Sequence, residues 1–158
     1  MRQINKILDK VVYLASAISS ISFFVVIILA IISRYIFKTP ILASIELSRL
    51  LFIWSCFLAA ALTYRRRAHV SITYIFDKLP QTGQKILTFC THLLVLLFMG
   101  IIFYQSIIVT YLLWPSKLPM LQITQSWFYL PVPISSLIIF SFTLEFIWDD
   151  LFTKLAEV

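Results

Sequence analysis

Glu46 and Arg49 stand three positions apart at the mouth of a strongly apolar run, Leu50-Leu51-Phe52-Ile53-Trp54. On a helix, i and i+3 side chains are neighbours, so this carboxylate and guanidinium can pair. At a bilayer midplane each charge would cost about 2.5–3.5 kcal/mol on insertion scales, and much less at the interface. Three chemistries fit the residue types. The pair can be an interfacial ion pair marking where a span begins, or a docking pair facing another subunit. It can also be an ion-coupling or substrate site. The last is the weakest, because both groups lie shallow and no second carboxylate accompanies them.

The other chemically capable residues are scattered. Arg65-Arg66-Arg67 closes the same apolar run and reads as a stop at a membrane surface. Each arginine there gains on the order of 1 kcal/mol from anionic lipid. His69 follows as an interfacial hydrogen-bonding residue. His92 falls inside a later apolar run and is a packing histidine in preference to a haem ligand, since no second His lies at matching depth. Glu145, Asp149 and Asp150 end the last apolar run. Acid at a helix C-terminus opposes the macrodipole. These groups are therefore either solvated or matched by cations, with the arginine run as the candidate partner. Cys56 and Cys90 have neither metal-site nor redox-pair spacing and read as packing residues.

Absences in the sequence narrow the function further. No apolar run holds a deep carboxylate, a Gly/Pro-interrupted helix pair or an inverted repeat, the features of a transporter's own binding site. Nor is there a nucleophile–base pair, metal cluster or phosphate loop, so no enzymatic centre is expected and no cofactor either.

The elements that must carry these residues follow from composition. Of 158 residues, 61% are hydrophobic and 13% charged, against about 45–50% and 25% in soluble domains. This is the balance of a small integral membrane protein, one domain over residues 1–158. The net charge of +6 fits anchoring beside anionic lipid. It does not indicate nucleic acid, because no basic patch is interleaved with stacking aromatics. A bilayer core of about 30 Å takes about 20 apolar residues in a helix. Four segments qualify, at residues 11–33, 45–64, 86–113 and 128–148. Helix is the expected form, since backbone groups in lipid must be satisfied internally. The first run is too long for a signal-peptide core and reads as a retained span.

Shorter elements frame the spans. Ile7, Leu8, Val11 and Val12 share a face, which extends the first helix toward the N-terminus. Ile72, Ile75, Phe76 and Leu79 recur at i, i+3, i+4, i+7, so residues 68–79 read as an amphipathic helix in the interface, ended by Pro80. Residues 34–48, aromatic and broken by Pro40, are expected to hold part of a second horizontal helix. Pro131 and Pro133 open the fourth span, where a missing N–H costs least. Small-residue stripes predict close helix packing: Ser55, Ala59 and Thr63 on span two, Ala15, Ser19 and Ser22 with the adjacent Ser16 and Ser20 on span one, and Ser136 and Thr143 on span four. Orientation follows from Lys and Arg counts. With the N-terminus inside, nine fall on the cytoplasmic side and four outside, so both termini are expected in the cytoplasm. Trp114 and Trp127 at one face, and Trp148 at the other, fit aromatic belts.

Several stretches resemble a known family. Arg34-Tyr35-Ile36-Phe37, Glu46-Leu47-Ser48-Arg49-Leu50-Leu51-Phe52-Ile53-Trp54 and Arg65-Arg66-Arg67-Ala68-His69-Val70 are similar in order and spacing to the central signature of the small, Q-type (DctQ-like) subunit of tripartite ATP-independent periplasmic (TRAP) transporters. Trp127-Phe128-Tyr129-Leu130-Pro131-Val132-Pro133 resembles that family's approach to the last span. The motifs occupy about forty residues. This chain departs from the family at Ile45-Glu46, where paired acids are common. It also lacks the usual glycine within residues 57–61 and after Pro133.

The resemblance implies a four-span chain of the bacterial inner membrane that forms a heterodimer with a large M-type subunit. That partner would carry the sodium and substrate sites and move elevator-fashion. A periplasmic binding protein would deliver an organic acid, sialic acid or a C4-dicarboxylate, and overall likeness favours sialic acid. The Q-type chain would widen the immobile scaffold. Glu46, Arg49, Trp54, Arg65, Arg66, His69, Trp127, Tyr129 and Pro133 would then be interface or structural residues. Two rival functions are a membrane anchor of a redox complex, which would need paired intramembrane histidines, and a small self-sufficient exporter, which would need an embedded carboxylate.

Overall fold

A computed structural model describes residues 2–66 and 81–152. The expected interfacial helix at 68–79, with Arg67 and His69, lies outside the described residues. Four long helices carry the fold: α1 (Arg2–Tyr35), α2 (Ala43–Arg65), α3 (Gln81–Leu112) and α4 (Pro131–Phe152). A 3-10 turn, Gln125–Phe128, leads into α4. All four helices are long and apolar enough to cross a membrane, and no strand is present among the described residues.

The helices form an open row. α1 lies along α2, α2 along α4, and α4 along α3, while α1 touches α4 only lightly. Half of the α4 span is buried, against 6% of the α1 and α3 spans, so α4 is the centre and α1 and α3 are the flanks. The core gathers Val12 of α1, Leu58, Ala61 and Leu62 of α2, and Ile138, Ile139 and Phe142 of α4, with Val95 and Met99 of α3 at its edge. Outward faces remain apolar, with Ile18, Ile21, Phe24, Leu94, Leu97 and Phe98 all exposed. In water such patches would drive association; in a bilayer, lipid tails are as apolar as Leu and carry no such penalty.

Small residues do admit close approach, but not along the whole expected stripe of α2. Ser55 is buried, whereas Ala59 and Thr63 are exposed. The buried face is Ser55, Leu58, Ala61 and Leu62. In the α1 stripe Ser16 is buried, with Ala15, Ser19, Ser20 and Ser22 half-buried. Ser136 and Thr143 are fully enclosed, as expected for α4. Cys56 and Cys90 are exposed on outward faces and are not core packing groups.

The connection after α1 contains no horizontal helix. Residues 36–42 turn and run extended before α2 begins at Ala43. The physical reason is local. Pro40 disfavours the helical region for Thr39, and Lys38 is held left-handed at φ 53. Thr39 closes the turn, its N–H donating to the Ser33 carbonyl at 3.3 Å while the Ser33 hydroxyl donates to the Thr39 carbonyl. At the far end of the chain, α4 starts at Pro131, the position where a proline costs no helical hydrogen bond.

Candidate functional site

Polar side chains concentrate in two junctions, one at each end of the row. The first lies where α2 begins and α3 hands over to α4. The loop between α3 and α4 is a tight hairpin: Lys117 bridges Thr124, the Leu118 N–H donates to the Ile123 carbonyl at 2.9 Å, and the Gln125 N–H donates to the Ser116 carbonyl at 2.8 Å. Gln122, left-handed at φ 55, turns the tip. The N–H groups of Met120 and Leu121 at that tip point away from the hairpin and need an acceptor. Glu46 supplies it. Its carboxylate accepts from the Leu121 N–H at 2.8 Å and from the Met120 N–H at 3.2 and 3.3 Å. As an acid in the first turn of α2, it also sits where the helix dipole favours negative charge.

Arg49 does not pair with Glu46. Its guanidinium lies 5.4 Å from the centroid of the Phe128 ring, a cation–π contact that replaces the ion pair the spacing allows. Glu46 turns to backbone donors because the hairpin brings two of them within reach. Both residues therefore tie the start of α2 to the segment that leads into α4.

The same segment is fastened twice more. The indole N–H of Trp54 donates to the Trp127 carbonyl at 3.1 Å. The Ser126 hydroxyl, fully buried, donates to the Thr110 carbonyl at 2.7 Å. Thr110 lies in the last turn of α3, whose carbonyls have no intrahelical partner, so Ser126 caps that helix. Trp127 and Tyr129 remain partly exposed at this end, and Pro133 is buried in the first turn of α4. Trp114 is exposed at the same end and Trp148 at the opposite one, as aromatic belts require.

The second junction is at the termini end. Glu145 of α4 is buried at 6% exposure and forms an ion pair with Arg65 of α2. The Asn5 side-chain amide of α1 donates to the same carboxylate at 2.6 Å. One acid thus joins three helices. The Arg65 guanidinium also lies 4.8 Å from the Phe142 ring centroid. Immediately beside this pair, the Tyr64 and Thr143 hydroxyls are 2.9 Å apart. Tyr64 and His92 both pack on Phe146, at 5.9 and 6.0 Å between ring centroids, and His92 Nδ1 lies 2.7 Å from the Thr88 carbonyl. His92 is thus a hydrogen-bonded packing residue between α3 and α4.

Of the two readings open for the acids ending span four, Glu145 takes the paired one, with the expected arginine run. Arg66 does not join that pair; it lies 5.8 Å from the Tyr13 ring centroid on α1. Asn5, Ser126, Thr110 and Phe128 were not singled out by sequence. Ser126 offered a faint signal, a small polar residue just before a belt tryptophan and a proline-led helix. Asn5 offered none, because its partner is 140 positions away. Among the described residues, no three His, Cys, Asp or Glu side chains gather as metal ligands. What this arrangement does chemically is hold helices at fixed spacing, with hydrogen-bonded charges clamping each end of an apolar row.

Comparison with known proteins agrees with that architecture. The family described as "Tripartite ATP-independent periplasmic transporters, DctQ component" matches residues 23–153. A Haemophilus influenzae protein assigned as a TRAP transporter small permease is 40% identical over 94 residues, 60% of this chain and 56% of that protein. The sialic acid TRAP transporter small permease protein SiaQ of Vibrio cholerae is 37% identical over 70 residues, 44% of this chain and 40% of that protein. A second H. influenzae small permease is 27% identical over 134 residues, 85% of this chain and 81% of the relative. The chain therefore spans about half the length of the first two relatives it matches. With a family match across most of its length and four apolar helices to carry it, this chain belongs to the DctQ family, the small multi-pass membrane components of TRAP transporters.

Proposed function

We propose that this chain is the fixed scaffold partner of a large M-type transport subunit, in a sodium-coupled transporter of the bacterial inner membrane with both termini cytoplasmic. The observation that carries this reading is the way the polar groups are used. Glu46, Arg65 and Glu145 are each engaged within the chain, Glu46 tying α2 to the α3–α4 hairpin and Arg65 and Glu145 binding helix to helix, while the flanking faces of α1 and α3 stay apolar and uncovered. That is the pattern of a rigid block that offers apolar surface to lipid and to a neighbouring membrane protein. Sodium and substrate would bind the large subunit. A periplasmic binding protein would deliver an organic acid. Sialic acid is the favoured substrate class, supported by the name of the V. cholerae relative, with C4-dicarboxylates as the other class.

Co-purification tests the assignment. The tagged chain, coexpressed with an M-type large subunit, is expected to recover that subunit as a heterodimer in mild detergent. Recovery of the small chain alone, with the large subunit folded and present in the same membranes, would remove the scaffold role.

A further inference from the structure

A groove of about 230 Å³ runs between α1 and α2 at the termini end, apart from both polar junctions. Its lining is Tyr13, Ser16 and Ala17 from α1 and Ala59, Leu62, Thr63 and Arg66 from α2. The groove exists because small side chains, Ser16, Ala17 and Ala59, leave surface space along the α1–α2 contact that larger ones would fill. The groove has a polarity gradient. Arg66 lies at the end of α2, where the apolar run meets the membrane surface, and its guanidinium rests near the Tyr13 ring. Ala59 lies seven residues deeper, about 10 Å along the helix at 1.5 Å per residue. A bilayer core is about 30 Å thick, so the groove begins at headgroup level and descends about a third of the way in.

Of the two described arginines at the end of α2, Arg66 is the one outside the ion pair. Its neighbour Arg65 is committed to Glu145. Among the described residues Arg66 meets no carboxylate, and Asp9, one turn from Tyr13, is not part of the lining. An exposed guanidinium with five N–H donors is a natural phosphate ligand. An apolar channel leading inward from it matches an acyl chain. We propose that this groove binds a membrane phospholipid, with the headgroup phosphate on Arg66 and an acyl chain lying between Ala17, Ala59 and Leu62. Such a lipid would fill the gap between α1 and α2 and extend the fixed block with a bound amphiphile. The charge at one end and the apolar wall at the other favour a lipid over a second copy of the chain.

Native mass spectrometry of the full chain in detergent tests this, with phosphatidylglycerol added as the probe. Arg66→Gln is expected to weaken the adduct about fivefold, the effect of one basic contact to anionic lipid. Ala59→Leu, which fills the groove and leaves the charge, is expected to weaken it as much. Arg34→Gln, at the opposite end of α1, should leave it unchanged. Inorganic phosphate at millimolar concentration should not displace the lipid. Equal losses from Arg66→Gln and Arg34→Gln would indicate diffuse charge attraction and overturn the site. Undiminished binding in Ala59→Leu would remove the acyl groove, and displacement by phosphate would reduce the site to a headgroup-only anion contact. A lipid-free dimer abolished by Ala59→Leu would assign the groove to a second copy. Each of these results contradicts the proposal.

Discussion

Replacing Glu46 should loosen the tip of the α3–α4 hairpin and little else. The carboxylate accepts one short hydrogen bond, from the Leu121 N–H at 2.8 Å, and one longer shared one, from the Met120 N–H at 3.2 and 3.3 Å. A hydrogen bond to a charged group contributes about 1.5–3 kcal/mol. The Met120 contact lies at the long edge of normal geometry, and the site is half-exposed, so water replaces part of what is lost. Glu46→Ala is therefore expected to cost about 1–2 kcal/mol locally, a factor of about 5–30 in the opening equilibrium. Residue-resolved amide hydrogen exchange reads that factor directly at Met120 and Leu121. Glu46→Gln, which keeps a neutral acceptor, should lose about half as much free energy. The Gln125 N–H, bonded within the hairpin to the Ser116 carbonyl, should keep most of its protection. Unchanged exchange at Met120 and Leu121 in Glu46→Ala would refute the reasoning. Equal loss at Gln125 would show that Glu46 acts on the whole fold instead of the tip.

Two further outcomes are expected. Arg65→Gln removes a described partner of the buried Glu145 carboxylate, and breaking one side of a buried pair costs up to about 3–5 kcal/mol; the thermal unfolding midpoint in detergent should fall clearly. Glu145→Gln should be milder, and the double variant should lose less than the sum of the two, whereas strict additivity would show that the ion pair contributes no coupling. For orientation, in a chain freed of Cys56 and Cys90, a cysteine replacing Lys117 should react with an impermeant maleimide from the periplasm, and one replacing Lys10 only after permeabilisation. The opposite pattern would invert the topology.

How much of this was legible in the sequence depends on the kind of interaction. The spans were, because bilayer thickness and backbone satisfaction dictate apolar length. Their ends moved by only a few residues except at two N-termini: α1 begins at Arg2, nine positions before the expected span and in the direction of the expected N-terminal extension, and α3 begins at Gln81, five positions early. The Arg65–Glu145 pair was legible as one of two alternatives, since an acid near the expected end of an apolar span is either solvated or matched by a cation; Glu145 in fact lies about two turns inside α4, which runs on to Phe152. Which face of a span turns inward was not. α2 is apolar on all sides, so periodicity carries no signal for inside and outside, and the stripe of Ser55, Ala59 and Thr63 named one buried residue of three. The partner of Glu46 was also hidden. Its donors are backbone groups 74 and 75 positions away, and they carry no sequence identity of their own. Pro119 marks a turn, but not what that turn docks against.

The central claim is that these helices frame a transport path that lies in another polypeptide. Sodium-driven uptake of radiolabelled sialic acid and of a C4-dicarboxylate into proteoliposomes tests it most directly, with the binding protein supplied outside. The account predicts no uptake with this chain alone and substrate-specific, sodium-dependent uptake when the large subunit is present with it. Sodium-driven accumulation of either acid by vesicles holding only this chain would contradict it.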